Sequence, residues 1–147
     1  LDPLAPVVHT FLSIGAFARN ANLIGGKLNI SEKRLKLTLK NLESLKIIKW
    51  NSASGLYQVL RDHMQLAADS PLNLPYQIFQ RTNAIQKIQT QNLEDRFTFS
   101  VAFSCNETGK AEIHEEFLKF LKIAENIVKN NHPTDVYQIN FDLFGWN

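Results

Sequence analysis

Residues 31–46 read SEKRLKLTLKNLESLK, and the spacing of leucines in this stretch decides how the surrounding chain folds. The leucines stand at positions 35, 39, 42 and 45, which is the three-and-four spacing of a buried helical stripe. Ser31 precedes the stripe, and its hydroxyl can accept a hydrogen bond from an amide of the first helical turn. The stretch therefore predicts a helix that begins at about residue 32, with lysines gathered on another face.

The flanking residues predict a short helix before this basic helix and a hairpin after it. Residues 22–30 (NLIGGKLNI) supply an apolar helix and a connector, and the two glycines weaken that helix by roughly 1 kcal/mol each relative to alanine. Residues 47–50 (IIKW) and 56–59 (LYQV) are β-prone, and the turn-rich stretch 51–55 separates them. This order of elements is typical of a winged helix-turn-helix, which presents one helix to the DNA major groove.

Charge is divided unevenly along the chain. Residues 1–61 hold nine basic and three acidic residues, a net charge of +6, whereas residues 62–147 hold seven basic and eleven acidic ones, a net charge of −4. A basic half beside an acidic half is typical of a nucleic-acid-binding module joined to a regulatory or assembly module. A solvated lysine-rich helix would give the same charge, so the charge favours DNA only together with the helix-turn-helix pattern.

Composition indicates a soluble protein, for which we expect a cytoplasmic location. The 147 residues are 44% hydrophobic and 20% charged, and no run of 18 apolar residues occurs, so we expect no membrane contact. Cys105 is the only cysteine, which excludes an intramolecular disulfide and fits a reducing compartment. The chain begins at Leu1 without a basic-then-apolar leader, which argues against a retained secretory signal, and the missing methionine suggests a fragment.

The prolines at 71 and 75 mark a boundary between two predicted domains. Each proline disfavours helix at the residue before it, so we expect a linker over 62–75. The linker would join a winged-helix domain over 1–61 to an α/β regulatory or assembly domain over 76–147.

Two helices are predicted in the second domain. Residues 76–91 show moderate helical periodicity, with a buried face formed by Phe79 and the isoleucines at 78, 85 and 88. A turn is expected at 106–110, followed by a long amphipathic helix that ends near His132-Pro133.

Two strands are predicted around that long helix, because FTFSVAF at 97–103 and YQINFDL at 137–143 alternate apolar and polar residues. Two strands make a poor sheet, so a third from the wing or from another subunit would complete it. The predicted class is α+β: a winged helix-turn-helix followed by a small α/β domain with two long amphipathic helices and at least two strands.

Four pieces of the chain, in this order, resemble the C-terminal domain of an uncharacterised, regulator-like bacterial family that is expanded in predatory and cellulolytic species. They are residues 30–50, the helix at 76–88, RFTFS at 96–100 and the closing DVYQINFDLF at 135–144, which is the most specific. Gly145 replaces the proline usual in that family, and its usual Trp-Tyr pair is not visible near the start of this chain. The resemblance implies a role in transcription regulation, and it supplies no ligand, reaction or catalytic residue.

Catalytic patterns are weak, so we predict no enzyme activity, no metal site and no cofactor. His114-Glu115-Glu116 lacks the second histidine of a His-Glu-x-x-His zinc site, because Leu118 stands in its place. The other histidines are scattered without ligand spacing, and Gly25-Gly26 belongs to no phosphate-binding pattern.

A DNA-binding surface is predicted from the basic helix and its flanks. Phosphate contacts would come from basic residues around the helix, and base contacts from residues early on it. Arginine can make a two-pronged contact with guanine, while leucine and the threonine methyl can meet the methyl of thymine. The expected phosphate contacts are Lys27, Lys46, Lys49 and Arg61, and the expected base contacts are Lys33, Arg34, Leu37, Thr38 and Asn41. Leu37 could instead mark a protein contact, because it lies among lysines and off the leucine stripe.

Two functional classes remain open from the sequence. In the first, the chain is part of a transcription regulator that binds double-stranded DNA, with a homodimer expected because paired half-sites multiply affinity. In the second, the winged helix is a rigid adaptor for a protein partner in a signalling or structural complex, since fold alone does not define function.

Overall fold

The computed structural model describes residues 2–62 and 68–147, and within them the chain has mixed α+β structure. The described residues form six α-helices, one short 3₁₀ helix and one two-stranded antiparallel sheet. In chain order these are α1 (Ala5–Leu12), α2 (Gly15–Arg19), α3 (Asn22–Leu28), α4 (Glu32–Ser44), β1 (Ile48–Asn51), β2 (Leu56–Val59), α5 (Asn73–Thr90), the 3₁₀ helix (Leu93–Asp95) and α6 (Glu107–Lys129).

The chain divides into two compact units, and the division falls inside α5. Unit 1 is Leu1–Gln80 with Thr134–Gln138, and unit 2 is Arg81–Pro133 with Ile139–Asn147. The predicted linker over 62–75 stays a prediction, because part of it lies outside the described residues and its last three residues begin α5.

Unit 1 holds a continuous hydrophobic core. Phe11 and Phe17 meet edge to face in it, with ring centroids 4.8 Å apart. The core consists of Leu4, Ala5, Val8, Phe11, Leu12, Ile14, Phe17, Ile24, Leu35, Leu39, Leu42, Ile47 and Ile48. Burial of this apolar area is the main force that assembles the first four helices with the hairpin.

The turn between α3 and α4 is built by Asn29, whose backbone is left-handed with φ of 51°. The amide of Ile30 donates to the carbonyl of Gly25 at 3.0 Å, which is the long hydrogen bond of a Schellman turn. A Cβ added at Gly25 would lie 3.4 Å from the carbonyl oxygen of Ile30. The left-handed Asn29 and the hydrogen bond from the Ile30 amide together set the path from α3 into α4.

The predicted start of the basic helix is confirmed. The amide of Arg34 donates to the Ser31 hydroxyl at 3.2 Å, and α4 begins at Glu32. At the other end, Lys46 adopts φ of 55°, and the amide of Ile47 donates to the carbonyl of Leu42 at 3.0 Å. A second Schellman turn thus ends α4 and directs the chain into β1.

The predicted hairpin is present, with Trp50 opposite Tyr57 and Ile48 opposite Val59. The two aromatic rings meet edge to face at 5.0 Å. Burial raises the pKa of the Tyr57 phenol, and the nearby Glu43 carboxylate raises it further. Glu43 also accepts a hydrogen bond from the amide of Trp50, which ties α4 to the hairpin.

The structure corrects the two strand predictions, since it assigns no strand to 97–103 or 137–143. The reason is physical: a strand needs a partner in a hydrogen-bonded ladder, and in the described chain neither segment lies in one. The alternating phenylalanines at 97, 99 and 103 and Val101 are 52–92% exposed, so the predicted burial of one face is also wrong.

The two long helices of the second half are present, with boundaries and burial that differ from prediction. The predicted turn at 106–110 is wrong, because Asn106 accepts a hydrogen bond from the amide of Gly109 and caps α6 from residue 107. The isoleucines of α5 at 78, 85 and 88 are exposed, and only Phe79 of its predicted face packs against the core of unit 1.

In unit 2, the closing residues 139–147 contact both α5 and α6. The rings of Phe117 and Phe141 stack 3.7 Å apart at 8°, and Arg81 pairs with Asp142 at 2.5 Å. No residue of unit 2 is buried, although the structure describes all of it. Among the described residues, no helix has the combination of length and apolar character that crossing a membrane requires.

Candidate nucleic-acid interface

The orientation of α4 is set by three leucines in the core of unit 1. Leu35, Leu39 and Leu42 are buried, so residues on the opposite side of the helix turn to solvent. That solvent-facing side, here called the α4 outer face, follows from i+3 and i+4 spacing. It consists of Lys33, Lys36, Leu37, Lys40 and Asn41, all of them exposed.

Two lysines of the α4 outer face make no ion pair within the described part of the chain. They are Lys33 and Lys40, whose ammonium groups are exposed to water. Lys36 pairs with Glu32 at 2.5 Å, and this hydrogen-bonded contact lowers the pKa of the Glu32 carboxyl. Because both members of that pair are largely solvated, water and salt compete with it readily.

Arg34 and Thr38 lie on a different row of α4, where both meet Asp2. Asp2 accepts hydrogen bonds from the Arg34 guanidinium at 2.5 Å, the Thr38 hydroxyl at 2.5 Å and the amide of Leu4 at 3.0 Å. The Asp2 side chain is 4% exposed, and Thr38 is fully buried. These contacts, here called the Asp2 network, join the start of α1 to the middle of α4.

The Asp2 network corrects the predicted role of Thr38. Its methyl group is not available to a thymine, because the whole residue lies inside unit 1. Arg34 is half exposed, and a two-pronged contact with guanine would compete with its ion pair to Asp2.

Lys27 is also engaged within unit 1. Its ammonium group lies 2.6 Å from the carboxylate of Asp135, in the short segment Thr134–Gln138. The hydrogen bond from Lys27 lowers the pKa of the Asp135 carboxyl; burial opposes this shift, and the hydrogen bond from the amide of Val136 adds to it. A phosphate would therefore have to displace a carboxylate to reach Lys27.

The other predicted phosphate contacts lie at the surface of unit 1. Lys46 follows α4, Lys49 is on β1 and Arg61 follows β2, and all three are exposed. The backbone carbonyl of Arg61 lies 2.7 Å from Nε2 of buried His9, which donates to it, so the backbone of Arg61 is anchored to α1. Within the described residues, none of the three side chains makes an ion pair.

Leu37 is an exposed apolar residue among the lysines of the α4 outer face. It is 49% exposed, and it sits one turn after Lys33 and one turn before Asn41. This row combines cationic, apolar and amide groups, which are the kinds of side chain that contact phosphates, thymine methyls and adenine edges.

Sequence reasoning missed the two acids that form ion pairs with predicted DNA-binding residues. Asp2 pairs with Arg34, and Asp135 pairs with Lys27. Asp2 could have been found as a turn residue, because Asp-Pro favours a turn and the Asp2 carboxylate accepts a hydrogen bond from the amide of Leu4. Its contact with Arg34, 32 residues away, has no local signal. Asp135 likewise meets Lys27 across more than a hundred residues.

The histidines are placed apart from one another. His9 is a buried residue of α1, His114 and His132 are exposed in the second half, and His63 lies outside the described residues. Across residues 2–62 and 68–147, no group of three or more His, Cys, Asp or Glu side chains could hold a metal ion.

Comparison with known proteins assigns residues 1–145 to a family model described as a domain of unknown function, DUF4423. No curated protein and no solved structure matches the chain.

Proposed function

We propose that unit 1 is a winged helix-turn-helix that binds double-stranded DNA in a transcription regulator. The chain itself belongs to the DUF4423 family. In this proposal α4 is the recognition helix, α3 is the helix that precedes it, and β1 with β2 is the wing. The order and lengths of these elements support the proposal, since they place a capped, basic helix between a tight turn and a hairpin.

The observation that carries the proposal is the set of exposed, unpaired cations around α4. Lys33, Lys40, Lys46 and Lys49 make no ion pair within the described residues, although the chain holds 14 acidic residues. Hydrated ammonium groups are free to neutralise phosphates, and the release of condensed counterions then drives binding.

The number of these cations sets the expected salt dependence. These four lysines alone give a slope of about −3.6 in log affinity against log salt, so affinity falls at least about 10²-fold between ~50 and ~200 mM salt. Leu37 and Asn41, on the same helical face, would then contribute to sequence preference through a thymine methyl and an adenine edge.

Fluorescence anisotropy with a labelled random duplex tests this proposal. The double variant Lys33→Glu/Lys40→Glu removes two phosphate contacts and should reduce the salt slope by about 2. The matched control is Lys122→Glu/Lys129→Glu on α6, which changes net charge equally at exposed lysines of unit 2. Equal weakening by both variants would show a bulk charge effect and would contradict a binding face on α4. Absence of binding at ~50 mM salt would reject DNA as the ligand.

A further inference from the structure

The segment Phe97-Thr98-Phe99-Ser100-Val101-Ala102-Phe103, here called the FTFSVAF segment, is a β-patterned stretch without a partner strand. Its backbone amides and carbonyls make no hydrogen bond within the described part of the chain. Its large apolar side chains are 52–92% exposed, at the positions that would share one face of a strand. Such a segment offers both an unpaired backbone edge and an apolar face.

The FTFSVAF segment has the same polarity pattern in both chain directions. Residues at equal distance on either side of Ser100 match in character: Phe99 with Val101, and Phe97 with Phe103. Thr98 and Ala102 are both small and uncharged. If a two-fold axis through Ser100 related two antiparallel copies of the segment, each apolar side chain would lie opposite an apolar side chain of the other copy. Each of these pairs would occur twice.

We propose that this segment pairs antiparallel with the same segment of a second copy of the chain, about a two-fold axis at Ser100. Phenylalanine then faces phenylalanine at the two ends, and phenylalanine faces valine on each side of the axis. Aromatic pairs and aromatic–β-branched pairs are the favourable cross-strand combinations. The pairing also gives hydrogen-bond partners to the backbone groups of alternate residues, which the single chain leaves to water.

A second copy fits this surface better than a charged partner does. No charged residue occurs from 97 to 106, so the segment has no cation to attract a phosphate or a lipid headgroup. The exposed side chains of its three phenylalanines and Val101 provide on the order of 500 Å² per copy, so two copies together reach the roughly 1,000 Å² of total buried area expected of a specific interface.

Site-directed disulfide formation tests the register of this pairing, independently of whether unit 1 binds DNA. In a Cys105→Ser background, Ser100→Cys places two thiols directly opposite each other, with Cα atoms about 4.5–5.5 Å apart, which suits a disulfide. The matched control is Thr98→Cys, whose two copies would lie four residues apart along the strands, about 13 Å. Mixing the chains that carry Thr98→Cys and Ala102→Cys restores a directly opposed pair.

The expected result on a non-reducing gel is a covalent dimer for Ser100→Cys and for the Thr98→Cys/Ala102→Cys mixture. Thr98→Cys alone should remain at least tenfold less cross-linked. Light scattering should give a dimer mass for the parent chain and a monomer mass for Phe99→Asp, whose side chain is exposed and whose helical circular dichroism should be unchanged. A monomeric parent, a dimeric Phe99→Asp, or equal cross-linking by Thr98→Cys and Ser100→Cys would overturn the proposal.

Discussion

Replacing Asp2 by alanine should lower the free energy of unfolding by about 2–4 kcal/mol. The change removes the turn hydrogen bond that the Leu4 amide donates to Asp2 before α1, about 1 kcal/mol. It also removes a charge-assisted bond from buried Thr38, about 1.5–3 kcal/mol, part of which Thr38 retains through the Arg34 carbonyl at 3.2 Å. The ion pair with Arg34 adds less than about 1 kcal/mol, because the Arg34 side chain is 39% exposed.

Urea unfolding followed by fluorescence measures this loss. Trp146→Phe in all variants leaves Trp50 as the only tryptophan, so the signal reports on unit 1. Asp62→Ala is the matched control, since Asp62 is an exposed acid of the same unit and should change stability by less than about 0.5 kcal/mol.

A double-mutant cycle with Thr38→Val isolates the contact between the two side chains. Because Thr38 donates directly to Asp2, the cycle should give a coupling energy of about 1–2 kcal/mol. An Asp2→Ala variant whose free energy of unfolding stays within ~0.5 kcal/mol of its parent, the range usual for surface changes, would refute the network as a source of stability. Additive effects of the two single variants in the cycle would refute it as well.

Two further predictions concern the surface of unit 1. Lys46→Gly should raise the free energy of unfolding by about 1 kcal/mol, because glycine adopts the left-handed backbone at this position without strain. Lys49→Gly, on β1, should lower the free energy of unfolding by about 0.5–1 kcal/mol, because glycine weakens a strand. Urea midpoints that move in the same direction in both variants would contradict the role of the left-handed backbone at Lys46. Lys27→Ala should cost less than about 1 kcal/mol at pH 7, because its ion pair with Asp135 is partly exposed. Since Lys27 lowers the pKa of Asp135, this contribution is present above the ordinary value of 3.8 and is lost as the pH falls through the lower folded-state pKa. A stability difference between parent and Lys27→Ala that persists unchanged at a pH below that range would show that the ion pair is not its source.

The local features of unit 1 were predictable because short-range physics determines them. The capped start of α4 depends on Ser31 and the amide of Arg34, three residues away. The spacing of the leucines and the composition of the two β-prone runs are also short-range features of the sequence. The structure shows the buried helix face and the hairpin that they predict.

The burial of individual side chains was harder to predict from periodicity. Leu45 continues the leucine stripe, yet it is exposed because the chain leaves the helix at that residue. Phe97 and its alternating neighbours have the pattern of a buried strand face, but a pattern states which residues share a face and not what covers that face.

The sequence by itself determined where α4 begins, that Leu35, Leu39 and Leu42 turn inward, and that a hairpin follows. Only the tertiary structure decided which basic residues remain unpaired, because Asp2 reaches Arg34 and Asp135 reaches Lys27 across long stretches of chain. Charges are visible in a sequence one residue at a time, whereas an ion pair depends on the distance between two groups that folding brings together.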